Sequence, residues 1–204
     1  MDRLGAYRND ADLPAIVPSV CTYLDVLGFR IAVREAAAAG LSNELLQRFH
    51  HVAANWFTSL GDIYAVESKE PRARELRVFT DNVVVGEPML TDSALSFALS
   101  DLALLQLGLA LDGFFVRGAV SVGELYIDEQ VIFGEAILDA YESEQAAVNP
   151  RLVLHPTARA VVTRELQYYF ANYHERKGHR FTDSLLVDED GEWFVDYLQA
   201  IFMA

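Results

Sequence analysis

The run Val20-Cys21-Thr22-Tyr23-Leu24-Asp25-Val26-Leu27-Gly28-Phe29 decides how the rest of the chain is read. Val, Thr, Tyr and Leu suit a pleated, buried surface. Extended upstream, Ile16 to Leu27 reads as a buried strand with Asp25 near its C-terminal end. An ionised carboxylate in that company is costly to bury unless something pairs with it. Gly28 then opens a helical pattern that runs to about Ala39, and Gly40 closes it. A glycine between strand and helix lets the backbone approach a ligand, and a helix N-terminus favours phosphate. The plainer reading of Gly28, a simple strand-to-helix turn, stays open.

Outward from this run the pattern alternates between strand and helix. Ser42 reads as an N-cap, and Leu45, Leu46, Phe49, Val52, Ala53, Trp56 and Phe57 follow helical spacing. A charged loop spans Glu67 to Glu75. Leu76 to Phe79 and Val83 to Val85 flank Thr80, Asp81 and Asn82, which predicts a hairpin with an acidic tip. Asp92 caps a nearly all-round apolar helix to Leu111, and Phe114 to Tyr126 is a long strand. Val131 to Phe133 is short and extended, and Glu135 to Ala147 is a helix. Arg151 to His155 is a strand, and Thr157 to about Leu166 a helix. Two short strands around Asp188 to Gly191 and a helical turn end the chain. The order predicts an α+β fold, one sheet with helices packed on it. No linker or repeat divides it, so residues 1–204 read as one domain. Its motif core lies at about 16–156, with a C-terminal strand and helix appendage at about 157–204.

The 204 residues carry 16 Lys or Arg against 30 Asp or Glu, a net charge of −14. That charge repels nucleic-acid phosphates, so no nucleic-acid partner is expected. At 52% hydrophobic and 23% charged the composition is that of a folded domain. The lone Cys21 excludes an internal disulfide framework and suits a reducing compartment. The apolar run Leu102 to Leu111 is bounded by Asp101 and Asp112, about half of a ~20-residue bilayer span. Met1 to Leu13 has no signal-peptide core. A cytoplasmic location without a membrane partner is therefore expected.

The chemistry-bearing pair is Asp25 and Asp81. Two carboxylates at a strand end and a hairpin tip can converge on hard divalent ions, which take oxygen ligands and substrate phosphates. Asp also favours turns and caps, and that reading stays open. Other features are bland. His50-His51 do not share a helix face, and His174 and His179 sit in or beside the basic stretch Arg176 to Arg180.

Four motifs together carry a family resemblance. Tyr23-Leu24-Asp25-Val26-Leu27-Gly28-Phe29 resembles the Phe-x-Asp-Ile-x-Gly-Phe first strand of the class III nucleotidyl cyclases. Phe79-Thr80-Asp81 resembles their Ile-Gly-Asp hairpin. Arg117-Gly118-Ala119-Val120-Ser121-Val122-Gly123 resembles their Arg-Ile-Gly-Val-His-Thr-Gly strand, and Ile132-Phe133-Gly134-Glu135-Ala136 their Ile-Trp-Gly-Asp-Thr helix entry. The motifs keep the family's order over about Val20 to Glu144. The Arg-Gly-Ala-x-Ser-x-Gly-Glu-Leu-Tyr strand and the later Ala-Tyr-Glu-x-Glu look closer to one branch, the compact bacterial Pycsar cyclases of anti-phage defence.

The resemblance implies a ferredoxin-like, palm-type sheet and a cyclase making a cyclic pyrimidine mononucleotide. UTP is favoured slightly over CTP, with a purine cyclase and a catalytically degenerate nucleotide-sensing module as rivals. It implies two Mg²⁺ or Mn²⁺ ions on Asp25 and Asp81, with the Val26 carbonyl as an extra ligand. The amides of Leu27, Gly28 and Phe29 would hold the β- and γ-phosphates. It implies a homodimer with interfacial active sites, and a separate effector protein activated by the product. The helix Leu95 to Leu111 and strand Phe114 to Tyr126 are offered as apolar interface or as core. The sequence departs from the family at Arg77, where a purine-reading Lys is usual, and at Val131, where a base-reading Asp is usual. Leu138 and Glu142 stand where its transition-state Asn and Arg fall. Arg77 is the candidate base reader, against a solvated strand-end role. Arg117 and Arg151 are candidates for the missing charge, with a plain salt bridge as the alternative for Arg117.

Overall fold

The computed structural model describes residues 7–52, 74–147, 149–172 and 180–199. The run that opens the reading forms β1 (Val17–Val26), an inner strand of one mixed sheet. β1 pairs antiparallel with β3 (Asn82–Pro88) on one side and β4 (Val116–Ile127) on the other. β2 (Glu75–Phe79) completes a hairpin with β3. Beyond β4 come parallel β6 (Leu152–Leu154), then β8 (Trp193–Val195) and β7 (Leu185–Val187). The short β5 (Ile132–Phe133) pairs with the end of β4. The helices are α1 (Phe29–Ala39), α2 (Ser42–His50), α3 (Ala94–Leu111), α4 (Glu135–Ala146), α5 (Pro156–Asn172) and α6 (Arg180–Ser184). This is the expected α+β class, a sheet with helices packed on it.

Alternation along β1 sends Val20, Leu24 and Val26 to one face and Cys21, Tyr23 and Asp25 to the other. The first set joins the main core with Phe49 of α2, Leu95, Leu99 and Leu102 of α3, and Val161 and Val162 of α5. On the second face Cys21 packs with Tyr7 and with Ala136 and Ala140 of α4.

α3 is the one helix among the described residues long and apolar enough to cross a membrane, and 67% of it is buried inside the fold. It starts at Ala94, so the apolar segment is longer than Leu102 to Leu111, and Asp101 lies within it. Asp101 is buried against Arg74, which also binds Glu87 of β3 at 2.7 Å. The alternative of α3 and β4 as interface or core resolves to core, because α3 packs on the sheet and β4 is an inner strand.

Several helix ends differ from expectation. Ser93, not Asp92, is the N-cap of α3, and Leu41, not Ser42, that of α2; neither makes a side-chain cap bond. α5 runs on to Asn172, past Leu166. The C-terminal hairpin continues the same sheet, and Phe181 and Val195 join the main core. Ala53, Trp56, Phe57, most of the charged loop, His174, Arg176 to His179 and the last turn lie outside the described residues.

Candidate active site

The antiparallel register places Phe79, Asn82, Asp25 and Arg117 in one row across β2, β3, β1 and β4. Asp81 stands at the β2–β3 tip, where Thr80 takes a left-handed φ of 55°. A β-branched residue there is strained, so the tip is held by contacts. Thr80 Oγ1 donates to Asp81 Oδ1 at 2.7 Å, and Asn82 Nδ2 donates to the same oxygen at 3.0 Å. The Val26 amide donates to the Asp81 carbonyl at 2.8 Å and staples the tip to the end of β1. The two carboxylates that the sequence singles out are thus brought to one end of the sheet.

Arg117 faces Asp25 directly, with Nη2 3.5 Å from Asp25 Oδ2. Its stronger partner is Glu144 of α4. Nε and Nη2 lie 2.7 and 2.6 Å from Glu144 Oε1. Glu144 is only 1% exposed. Nη1 donates to the Ala147 carbonyl at 3.3 Å. Tyr23, next in on the same face, donates its hydroxyl to Asn82 Oδ1 and packs edge-on against Tyr141. Burial and the charge of Glu144 push the Tyr23 phenol up to about 12.

Burial also holds the Asp25 carboxyl above the usual range, reinforced by Glu144 and Asp81 and opposed by Arg117. Three carboxylates and one guanidinium leave a formal excess of two negative charges. A hard divalent cation fits that excess and that all-oxygen donor set. Among the described residues no cluster of three or more His, Cys, Asp or Glu could hold a metal. A cation here would have to rely on the two aspartates plus backbone, water or phosphate oxygens.

Gly28 sits at the N-cap of α1 with φ 72°, and a Cβ there would meet nothing within 4 Å. The glycine is required by backbone conformation, with open space beside it. Gly28 and Phe29 begin the helix, where amides lack intrahelical partners. The Leu27 amide differs: it donates to the Phe115 carbonyl at 2.8 Å. A phosphate held by the Leu27 amide would compete with this bond to the segment that leads into β4.

The overall arrangement is similar to solved cyclase structures. The adenylyl cyclase CyaB from P. aeruginosa aligns with a TM-score of 0.53 at 12% identity, covering 73% of this chain and 82% of that chain. A class III adenylyl cyclase-like ATP-binding protein from Pseudomonas aeruginosa gives 0.56 at 13% identity, over 93% of this chain and 41% of that one. The non-canonical dimeric guanylyl cyclase domain of the RhoGC fusion protein from the aquatic fungus Blastocladiella emersonii gives 0.57 at 10% identity, over 88% and 97%. The fold is that of the class III nucleotidyl cyclases. At these identities the likeness is one of fold. No family model and no curated protein matches the sequence.

On this cyclase fold the remaining candidates separate. Arg77 lies two rows in from Asp25, in line with Tyr23 on the same face and opposite Val84. Its Nε donates to the Asp128 carbonyl at 2.6 Å, Nη1 to the Leu76 carbonyl at 2.6 Å, and Nη2 to Glu75 Oε2 at 2.8 Å. It reaches the β4–β5 turn, not the aspartate pair. Arg151 is not brought to the pair either. Its guanidinium binds Asp188 and Asp190 of the C-terminal hairpin and lies 5.5 Å over the Phe194 ring. Leu138 and Tyr141 are exposed on α4. Sequence reasoning missed Glu144. The available signal was Arg117 itself, since a cation in a buried strand calls for a buried partner.

Proposed function

We propose that this chain is a nucleotidyl cyclase that converts UTP to 3′,5′-cyclic UMP and pyrophosphate. One observation supports the reading: Asp25 near the end of β1 and Asp81 at the β2–β3 tip lie at one end of the sheet, close to the N-terminus of α1. Asp25, Asp81 and the Val26 carbonyl would hold two Mg²⁺ or Mn²⁺ ions. Bound there, such ions acidify the ribose 3′-hydroxyl and offset charge at the α-phosphate. The Gly28 and Phe29 amides bind the terminal phosphates at the helix N-terminus. In the reaction the 3′-oxygen bonds to the α-phosphorus as the bond to pyrophosphate breaks, and the hydroxyl proton passes to solvent.

The pyrimidine preference rests on Arg77 and Val131 standing where purine readers stand in the family that the sequence resembles. The Arg77 fork suits the O2 or O4 carbonyls of uracil, and it already spans from β2 to the β4–β5 turn. CTP is the second substrate candidate, since one amino group at ring position 4 separates the two bases. A homodimer is part of the proposal. Exposed Phe133, Leu138 and Tyr141 supply apolar surface for it. A cytoplasmic anti-phage role, with the product activating a separate effector, rests on the resemblance.

The test is incubation with ATP, GTP, CTP and UTP in Mn²⁺, with products read by mass spectrometry. Wild type is expected to form cyclic UMP, and Asp25→Ala and Asp81→Ala to form less than about a hundredth as much. Cyclic AMP or GMP would overturn the pyrimidine assignment. Leu138 and Glu142 favour one other reading, a degenerate nucleotide-sensing module. It requires triphosphate binding with no product from any base.

A further inference from the structure

We propose that a cavity between the end of α4, β6 and the C-terminal hairpin binds a neutral cyclic amide, the chemical class that includes the uracil ring. Neither Asp25 nor Asp81 lines it, so the site is separate from the aspartate pair and independent of the cyclase reading above.

The cavity measures about 260 Å³. Ala146 of α4, Val153 of β6 and Pro156 of α5 give it apolar walls. Arg151, Arg159, Asp190 and Glu192 add charge to the lining. Arg151 pairs with Asp188 and Asp190, and Arg159 pairs with Glu192. The charges of the lining thus cancel, and Asp188 adds one more negative charge. An anion would enter against three carboxylates, in a chain of net charge −14. A neutral ligand meets no such penalty.

One polar atom of this lining is unanswered. Arg151 is only 8% exposed. Its Nε is buried and has no hydrogen-bond partner among the described residues. A buried donor without an acceptor is costly to the fold and calls for a water or a ligand. Nη1 and Nη2 are taken by Asp188 and Asp190, and the guanidinium lies 5.5 Å over the Phe194 ring. These contacts fix the group, so the occupant must bring the acceptor, which an ammonium ion lacks. One water would answer Nε but fill only roughly 30 Å³ of the space.

The edge of the guanidinium narrows the chemistry further. Nε and Nη2 share one edge of the planar fork. Nη2 donates to Asp190 Oδ2, so a free donor stands beside a carboxylate. The bond from Arg151 holds the Asp190 carboxyl below the usual range, which keeps it an ionised acceptor. A ligand with a carbonyl next to an N–H answers both groups. The carbonyl accepts from Nε, and the N–H donates to Asp190. A cyclic amide locks the two on one edge of a flat ring, whose faces suit the apolar walls. The volume lies under the ~300–1,000 Å³ of sites for drug-sized molecules, which limits the ligand to about a nucleoside.

Uridine is the probe, and NMR titration follows its binding. Wild type is expected to bind it saturably, with the same affinity in EDTA and in Asp25→Ala protein. 3-Methyluridine lacks the N–H and should bind roughly 10-fold more weakly. Arg151→Lys keeps the positive charge, removes Nε and should weaken uridine by roughly the same factor. Ala146→Phe fills the cavity from an exposed position on α4, so it should fold as wild type does and bind no uridine. This variant decides the matter if Arg151→Lys does not fold. Absence of saturable binding to wild type would overturn the proposal and leave water as the occupant. Equal affinity for the two nucleosides would overturn it too, because the edge would then not be read. Binding lost in Asp25→Ala but kept in Ala146→Phe would place uridine at the aspartate pair and also refute it. None of these readouts depends on turnover.

Discussion

Glu165 on α5 carries a carboxyl oxygen, Oε1, that is buried and meets no hydrogen-bond partner among the described residues. Burial pushes this carboxyl up to about 7, with Arg164 opposing the shift and Asp92 adding to it. The fold thus accommodates the protonated form better than the ion. The sign follows from linkage: a raised folded pKa adds stability that is fully present below the unfolded value near 4.5 and is lost as pH rises through about 7. Glu165→Gln should melt at the same temperature as wild type near pH 4.5 and at a higher one at pH 8. Melting curves at the two pH values check this, and an equal offset at both would refute it. Asp25 shows the same direction of shift at the candidate site. There a group that costs the fold something is the group the proposed chemistry needs.

Strand β4 shows how an element positions the site. At Gly118 an added Cβ would lie 2.3 Å from the Tyr23 carbonyl oxygen and 2.8 Å from Leu24 Cδ2. No side chain fits without parting β1 from β4. That contact lies beside the Asp25–Arg117 pair, so its closeness helps set the 3.5 Å separation there. Gly118→Ala should cost about 2–4 kcal/mol, in the range of severe overpacking against backbone. Urea unfolding measures it, and a loss under ~1 kcal/mol would show that the strands yield easily. α3 makes a different point. Its apolar residues run round the helix, and the buried Arg74 draws Asp101 into the same packing.

Asp25, Asp81, Arg117 and Glu144 all belong to a single protomer. In the proposed homodimer each site therefore needs Asp25 and Arg117 from the same chain. Mixing Asp25→Ala protein with Arg117→Met protein should restore no cyclase activity beyond the sum of the two. Recovery towards a quarter of wild type, as a random mixture with one intact site per mixed dimer would give, would place the two residues on opposite protomers. The measurement is product formation after co-refolding the variants at equal concentration.

The sequence by itself determined the order of elements, apart from α6 (Arg180–Ser184), and singled out the two aspartates. Its apolar run broken by Gly28, and the alternation either side of Asp81, are local periodicities that backbone geometry reads directly. It also placed Arg117 by motif. Only the tertiary structure decided what those groups meet. The partner of Arg117 lies 27 residues on, on a helix over the sheet face. The Leu27 amide is spent on Phe115, and Arg151 is held by a hairpin 37 and 39 residues away. α3 became core because the sheet covers it. Such pairings depend on register and packing between distant segments, and a one-residue slip in register would turn each side chain to the opposite face.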